Sequence, residues 1–394
     1  MRDDEAIVHE AVDRLLAEHP PAATVFADFL GAQFDAGLAW IHFPEGRGGL
    51  GLSAGLQAIV KRRLDEAGAP DGFMRNPIGY GMAGPTVVAH GSDAQQARYL
   101  RPNFTCEEVW CQLFSEPGAG SDVASLATTA ARITSVVGDH EWIVNGQKVW
   151  TTLAHKARWG MLLARTDPDV PKHDGLTYFV VDMHAPGVEV RPLRQMSGEA
   201  EFNEVYFTDV VLPDAERLGA VGDGWRVSTT TLMNERYNMP TPPRRGEGAI
   251  ANAVDAWRTG GRVAASRDRL VHAWVEAEVG RLTALRAGEA RATGSPGPEG
   301  SVGKLGLANI SMLVAELGVD VMGAPGALYD SYDTGDGDAP SGSSLPHRFL
   351  HSRQASIAGG TSEIMRNILG ERVLGLPPEP RLDKDVPWSK VPRS

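Results

Sequence analysis

The chain has 394 residues, of which 42% are hydrophobic and 22% are charged, and its formal net charge is −12. This composition excludes intrinsic disorder of the whole chain and provides for two or three domains with large cores. The acidic balance argues against broad binding of nucleic acid, which requires a basic face.

The amino-terminal sequence MRDDE is polar and acidic, and no apolar stretch typical of a secretory signal follows it. No run approaches the roughly 18 apolar residues that a membrane helix needs. We therefore expect a cytoplasmic protein without membrane insertion. The two cysteines, Cys106 and Cys111, lie outside any Cys/His metal-binding pattern. We expect reduced, packed thiols and predict no metal site.

Residues 1–110 are predicted to be mainly helical. Apolar residues recur at helical spacing from Val8 to Leu16, and Pro20-Pro21 ends this helix. The stretch Gly46–Gly51 (GRGGLG) is rich in glycine, but it follows a proline and lacks a clear preceding strand. It therefore favours a plain turn over a nucleotide-binding loop.

The pattern changes to β structure near residue 110. The segments EWIV and QKVW flank Asn145-Gly146, a dipeptide typical of a two-residue hairpin turn. Short segments rich in β-branched and aromatic residues follow at 176–181, 188–190 and 205–207. These features predict a domain of antiparallel strands.

Helical patterns return from about residue 218. They cover residues 225–239, 270–290, 302–322 and 362–374, while the polar stretch 333–344 is predicted to be a loop. The order of helices, strands and helices indicates a β module between two helical ones. We place the domain boundaries at 1–110, 111–217 and 218–394.

Three segments in this order resemble the signatures of the acyl-CoA dehydrogenase family. They are Gln112–Asp122 (QLFSEPGAGSD), Trp142–Thr152 (WIVNGQKVWTT) and Gly359–Ile364 (GGTSEI). The resemblance covers nearly the whole chain and implies an α+β multidomain fold: an N-terminal helical domain, a middle β-barrel and a C-terminal four-helix bundle. It also implies FAD as cofactor, an acyl-CoA substrate, and electron-transferring flavoprotein as acceptor. The implied assembly is a homodimer or homotetramer.

The resemblance assigns roles to residues in these segments. Ser115 would hydrogen-bond the pyrimidine edge of the flavin, Trp150 would cover one ring face, and Thr152 would contact the flavin near N5. Ser121 would lie near the CoA portion of the thioester or the cofactor phosphates. The implied cofactor contacts are Gln112, Leu113, Phe114, Ser115, Gly120, Ser121, Trp150, Thr151, Thr152, Thr361 and Glu363.

The catalytic base is the main departure from the commonest family pattern. Many members carry a glutamate just before the Gly-Thr of the third signature, and here that residue is Gly359. Members similar to the isovaleryl and long-chain branches supply the base from a helix, at a Glu-Arg pair matched here by Glu235-Arg236. A glutamate in an apolar pocket is a stronger base because burial raises its pKa. The implied catalytic base is thus Glu235, and the implied substrate contacts are Ser121, Arg236, Gly359 and Gly360.

The expected activity is FAD-dependent α,β-dehydrogenation of an acyl-CoA thioester to the trans-2-enoyl-CoA, with the β-hydride passing to flavin N5. Two features depart from the family. Pro240–Pro243 closely follows Glu235, and Arg267–Leu270 (RDRL) stands where relatives often carry an Arg-Lys-Thr-Phe-Gly-like stretch. The arginine of that stretch reaches the FAD pyrophosphate of a neighbouring subunit, a role that the resemblance leaves open here between Arg267 and Arg269. Two alternatives stay open. An acyl-CoA oxidase is usually longer than this chain. A non-catalytic subunit of a hetero-oligomeric dehydrogenase would explain Gly359.

Overall fold

The computed structural model describes residues 4–134, 140–237, 244–292, 297–329, 344–381 and 383–392. The chain forms two compact units. The first consists of Met1–Pro192, Phe202–Glu235 and Leu382–Ser394, and the second of Leu193–Glu201 and Arg236–Arg381.

Among the described residues, five α-helices open the first unit: α1 Asp4–Glu18, α2 Phe26–Asp35, α3 Gln57–Glu66, α4 Gly84–His90 and α5 Asp93–Phe104. Helix α1 confirms the helix predicted before Pro20-Pro21, and it buries Val8, Val12 and Leu15. Residues 46–48 form a turn, as predicted, and a β-bridge between Glu45 and Gly49 closes it. Helix α5 begins at a capping box, in which Ser92 and Gln95 each satisfy the other's backbone N–H.

In the described part of the chain, eight strands follow: β1 Trp110–Leu113, β2 Thr129–Thr134, β3 His140–Thr152, β4 Trp159–Arg165, β5 Leu176–Asp182, β6 Val188–Leu193, β7 Phe202–Pro213 and β8 Arg217–Leu218. They pair in the order β6-β7-β3-β2-β4-β5-β8, and β1 pairs with β4 in parallel. Pairs β2–β3, β3–β7 and β4–β5 are antiparallel. The middle of the chain is therefore a sheet domain, as the sequence predicted.

The predicted hairpin turn at Asn145-Gly146 is wrong. Strand β3 continues through both residues, and Asn145 pairs with Thr129 of β2. On the other side, the register with β7 shifts between Val144 and Gly146. The Asn145 side-chain amide donates to the Asp209 carboxylate (3.0 Å) and accepts from the Asp209 N–H (2.9 Å). Since β3 is paired on both edges, the dipeptide forms an irregularity within a strand instead of reversing the chain.

The remaining helices are α6 Gly224–Tyr237, α7 Ala249–Thr259, α8 Arg267–Ala292, α9 Glu299–Met322, α10 Leu345–His351 and α11 Ser362–Ile368. Four of them lie in the predicted helical segments, whereas α7 and α10 were not predicted. Helix α11 is shorter than expected because Leu369–Val373 forms a π-helical turn. The polar stretch 333–344 was predicted to be a loop, and all of it except Ser344 lies outside the described residues.

Helix α9 is more apolar than the sequence analysis anticipated. It has 24 residues and contains an 18-residue window with a mean hydropathy of 1.5, so it could span a membrane by length and composition alone. It packs against α7 and α8 in the second unit and contributes Val314, Leu317 and Val321 to the core there. Apolar residues of α9 therefore pack in the helical core of the second unit.

Candidate functional site

The first signature begins in the last two residues of β1 and continues into a loop in which Pro117, Gly118 and Gly120–Asp122 are exposed. Glu116 and Ala119 exchange two backbone hydrogen bonds of 3.0 Å, which close a tight turn around Pro117-Gly118. Gly118 and Gly120 are exposed, and a Cβ at either position would have no heavy atom within 4 Å. The backbone of this loop is thus open to a ligand.

A buried ion pair holds the base of this loop. Lys148 Nζ donates to Glu116 Oε1 (2.8 Å) and to the Phe114 carbonyl (3.1 Å). The Glu116 carboxylate also accepts from the backbone N–H groups of Ala127 (2.6 Å) and Thr128 (2.9 Å). Burial alone would raise the pKa of Glu116, but Lys148 and these donors outweigh burial and lower it. We name this ion pair, Glu116–Lys148, the brace.

The second signature ends in a β-bulge. Between Lys148 and Thr151, β3 carries one residue more than β7 opposite it. Trp150 lies in this bulge with a left-handed φ of 59°, its side chain is 59% exposed, and its ring meets Phe202 edge-on at 6.1 Å. A large aromatic ring on a strained, exposed bulge is typical of a ligand-binding surface.

Hydrogen bonding joins the two signatures. The Val149 N–H donates to the Ser115 carbonyl (2.9 Å), so the bulge and the loop are fixed beside each other. Thr152 is half-buried next to the bulge. Thr151 is fully buried, and its Oγ1 has no hydrogen-bond partner among the described residues.

The structure separates the proposed cofactor contacts into two groups. Leu113 and Phe114 are buried in the cores of the first unit, so only their backbone groups can serve a ligand. Gln112 and Ser115 are half-buried, and Ser121 is exposed. No role was predicted for Glu116 or Lys148; the available signal was a lysine directly before Val149-Trp150 in a predicted strand.

The third signature lies in the second unit. Thr361 caps α11, because its Oγ1 accepts from the Ile364 N–H (3.2 Å). Glu363 is exposed and pairs with Arg366 at 3.5 Å. Its pKa is lowered by a hydrogen bond from its own backbone N–H, then by Thr361 and Arg366. Gly360, before the cap, has a φ of 97°.

Gly359 also has a left-handed backbone, with a φ of 66°. A side chain in this conformation costs about 1–2 kcal/mol. Gly359→Ala should therefore lower the free energy of unfolding by about 1–2 kcal/mol, as measured by urea denaturation. The matched control is Gly288→Ala on the exposed face of α8, where open space surrounds the new methyl. There alanine should stabilise by about 0.5–1 kcal/mol. Equal effects at both sites would contradict the strain argument.

Positions 235 and 236 lie in the last turn of α6, which extends to Tyr237. The side chains of Glu235 and Arg236 are outside the part of the chain that the structure describes, and so are all atoms of Pro240–Pro243. Of the two candidate arginines in α8, Arg269 donates to Asp320 at 2.6 Å.

A cluster of histidines and glutamates lies elsewhere in the second unit. Nε2 of His347 is 3.0 Å from Glu199, and Nε2 of His351 is 3.7 Å from Glu201. Glu201 raises the pKa of His351 above its ordinary value by hydrogen bonding. Among the described residues, Glu199, Glu201 and His351 bring possible metal-ligand atoms within 4.8 Å of one another. Because ion pairing and a 2.7 Å contact from Gln354 to His351 engage these atoms, we assign no metal there.

Comparisons with known proteins cover all three predicted domains. The family models of the acyl-CoA dehydrogenase N-terminal, middle and C-terminal domains match residues 5–107, 111–210 and 222–374. Acyl-CoA dehydrogenase IpdE1 of Mycobacterium tuberculosis is 42% identical over 351 residues, which are 87% of this chain and 86% of that protein. Acyl-CoA dehydrogenase FadE34 of the same organism is 41% identical over 351 residues and 87% of this chain. The chain spans only 45% of FadE34.

Solved structures show the same fold. The crystal structure of the ChsE4–ChsE5 complex from Mycobacterium tuberculosis has a TM-score of 0.70 and 25% sequence identity. The match covers 96% of this chain and 98% of that one. The helical, sheet and helical regions thus agree with the matched models in kind and in order. The chain belongs to the acyl-CoA dehydrogenase family of flavoprotein oxidoreductases.

Proposed function

We propose that this chain binds FAD and oxidises an acyl-CoA thioester to the trans-2-enoyl-CoA. The observation that carries the proposal is the surface of the first unit where the open Ser115–Ser121 loop and the Trp150 bulge are hydrogen-bonded to each other. Family membership supplies the reaction type, and the relatives named acyl-CoA dehydrogenase agree with it.

The residues of this surface fit a flavin. Exposed Trp150 offers a flat apolar face, and Ser115 and Thr152 carry hydroxyls in the two segments that the Val149–Ser115 hydrogen bond joins. The open glycines of the loop let backbone N–H groups approach phosphate oxygens. Bound FAD would supply the two-electron acceptor for the β-hydride. The proposed FAD contacts remain those of the sequence analysis, including Thr361 and Glu363 in the second unit.

The protein residues would handle the α-proton. Glu235, in the last turn of α6, is the proposed base, and Arg236 is its charged neighbour. Gly359 keeps a backbone N–H that can donate to the thioester carbonyl, and this polarisation makes the α-proton more acidic. Gly360 and Ser121 complete the proposed substrate contacts. A side chain at position 359 would be strained, which favours a base elsewhere in the chain.

The proposed partners are an acyl-CoA substrate and electron-transferring flavoprotein, with the chain acting in the cytoplasm as a homodimer or homotetramer. A second candidate is a non-catalytic or half-site subunit of a hetero-oligomer. Two observations favour it: Gly359 stands where many members have a catalytic glutamate, and one structural neighbour is a complex of two named proteins, ChsE4 and ChsE5.

The test is anaerobic mixing of the purified protein with a panel of acyl-CoA thioesters while the visible absorption of the flavin is recorded. We expect a yellow protein whose absorption bleaches with at least one thioester. Pivaloyl-CoA, which has no α-hydrogen, is the matched negative control. A colourless protein would contradict FAD binding by the chain alone. A yellow protein that no thioester bleaches would support the subunit alternative, and adding a partner chain would then restore bleaching.

A further inference from the structure

A segment near the C-terminus returns to the first unit. Residues 383–392, which we name the strap, lie beyond residue 374, where the match to the family's C-terminal model ends. Pro387 forms a β-bridge with Pro171. The N–H groups of Trp388 and Ser389 donate to the carbonyls of Val170 (2.9 Å) and Pro168 (2.8 Å). The strap is therefore hydrogen-bonded along its backbone to the segment between β4 and β5.

Trp388 anchors the strap beside the first signature. It is only 8% exposed, and its Nε1 donates to the Ser125 carbonyl (3.3 Å). The guanidinium of Arg165 lies 4.2 Å from the centre of its ring, within range of a cation–π contact. Arg165 in turn donates to the carbonyls of Ala124 (2.6 Å) and Leu126 (3.2 Å). One tryptophan and one arginine thus hold the turn that directly follows Ser121-Asp122.

A second contact reaches the signature itself. Lys172 Nζ donates to Asp122 Oδ2 (2.8 Å) and also bonds to Asp383 of the strap. The Lys172 side chain is largely buried, and its ammonium group links the exposed Asp122 carboxylate to the half-buried Asp383 carboxylate. Burial opposes the charged form, but the two aspartates outweigh it and raise the pKa of Lys172. The link therefore stays charged at neutral pH.

We propose that the strap positions the first signature, with Trp388 and Asp383 as positioning residues for the loop that ends at Ser121. The loop between Glu116 and Asp122 contains two glycines, and Ala119, which is buried and exchanges two backbone hydrogen bonds with Glu116, orders its first part. Gly120 and Ser121, which follow, are exposed, so their order depends on the contacts at the second end of the loop. The brace fixes the first end, and the strap fixes the second through Asp122, Ala124, and Ser125. This inference rests on the proposed function, in which the loop contacts FAD and the thioester.

Loss of Trp388 should weaken binding and leave chemistry intact. In the full-length chain, Trp388→Ala removes one hydrogen bond and one cation–π contact, so we expect KM for the best thioester to rise about tenfold. We expect kcat to change less than about twofold, because the strap touches no reacting group. Trp388→Phe keeps an aromatic ring at this position, so its KM should lie close to the wild-type value. Lys390→Ala, an exposed strap residue, is the matched control and should behave as the wild type.

Hydrogen–deuterium exchange provides a second test of the proposal, and this test does not depend on catalytic turnover. In the substrate-free protein, Trp388→Ala should speed exchange of the amides of residues 118–126 and leave α1 and α3 unchanged. Asp383→Asn should act in the same direction, with exposed Asp385→Asn as its control. If Trp388→Ala does not fold, Asp383→Asn takes its place in both experiments.

Unchanged KM and unchanged loop exchange in Trp388→Ala would overturn the proposal. An equal rise in KM for Lys390→Ala, or faster exchange throughout the first unit, would also overturn it, because either result indicates general destabilisation. If the wild type oxidises no thioester, the proposed function fails, while the exchange experiment still decides whether the strap orders the loop.

Discussion

Glu235→Gln should retain bound flavin but bleach at least about 10²-fold and at most about 10⁴-fold more slowly than the wild type when mixed anaerobically with the preferred thioester. Glutamine has the same shape and hydrogen-bonding length as glutamate but cannot accept the α-proton. Because only the proton transfer is removed, thioester affinity should change little, and the loss should appear in the rate of bleaching. Stopped-flow absorption at the flavin maximum measures both quantities.

The matched control is Glu66→Gln, which removes an exposed carboxylate at the end of α3. It should bleach at the wild-type rate. Bleaching at the wild-type rate in Glu235→Gln as well would remove Glu235 from the role of base and require another carboxylate. A colourless Glu235→Gln protein would instead place this residue in flavin binding or folding.

The sequence predicted those parts of the fold that depend on local patterning. Helices α1, α8 and α9 carry apolar residues at helical spacing or clear stop signals, so their positions follow from chain-local rules. Strand β5 is a run of β-branched and aromatic residues and was placed almost to the residue. Helix α7 was missed because its alanine-rich sequence was not recognised as an element.

The sequence-based predictions were wrong or incomplete where contacts between residues distant in the chain determine the structure. Asn145-Gly146 is a strong turn signal in isolation, but β2 and β7 pair with both edges of β3, and Asp209 takes up the Asn145 side chain. The strap was missed for the same reason. Trp388 lies in a polar, proline-containing stretch, and its partner Ser125 is 263 residues away, beyond the reach of any local pattern.

In the candidate site, too, the segments with local sequence signatures were predicted, whereas the long-range contacts were not. Family signatures identified the Ser115–Ser121 loop and the Trp150 bulge, and the structure brings these two segments together. What holds them together was not predictable, because the brace is a pairing of Glu116 with a buried lysine 32 residues later. Signatures therefore identify the groups that face a ligand, whereas the supporting contacts emerge only from the fold.

Lys148→Met should destabilise the first unit by about 3–5 kcal/mol, because it leaves the Glu116 carboxylate buried without its counter-ion. The Lys148 side chain is fully buried, so water cannot replace the lost partner. Chemical denaturation in urea at neutral pH measures the change, and flavin affinity should fall with it because the brace fixes the loop beside the Trp150 bulge.

The matched control is Lys61→Met, which breaks exposed ion pairs with Asp65 (3.4 Å) and Asp71 (3.6 Å) and should cost no more than about 1 kcal/mol. In the double variant Lys148→Met/Glu116→Gln, neither position of the brace carries a charge. It should therefore recover part of the stability that Lys148→Met loses, while the loop stays poorly fixed and flavin affinity stays low. Recovery of stability together with full flavin affinity would show that the brace serves folding alone, and equal midpoints for Lys148→Met and Lys61→Met would contradict its buried, charged character.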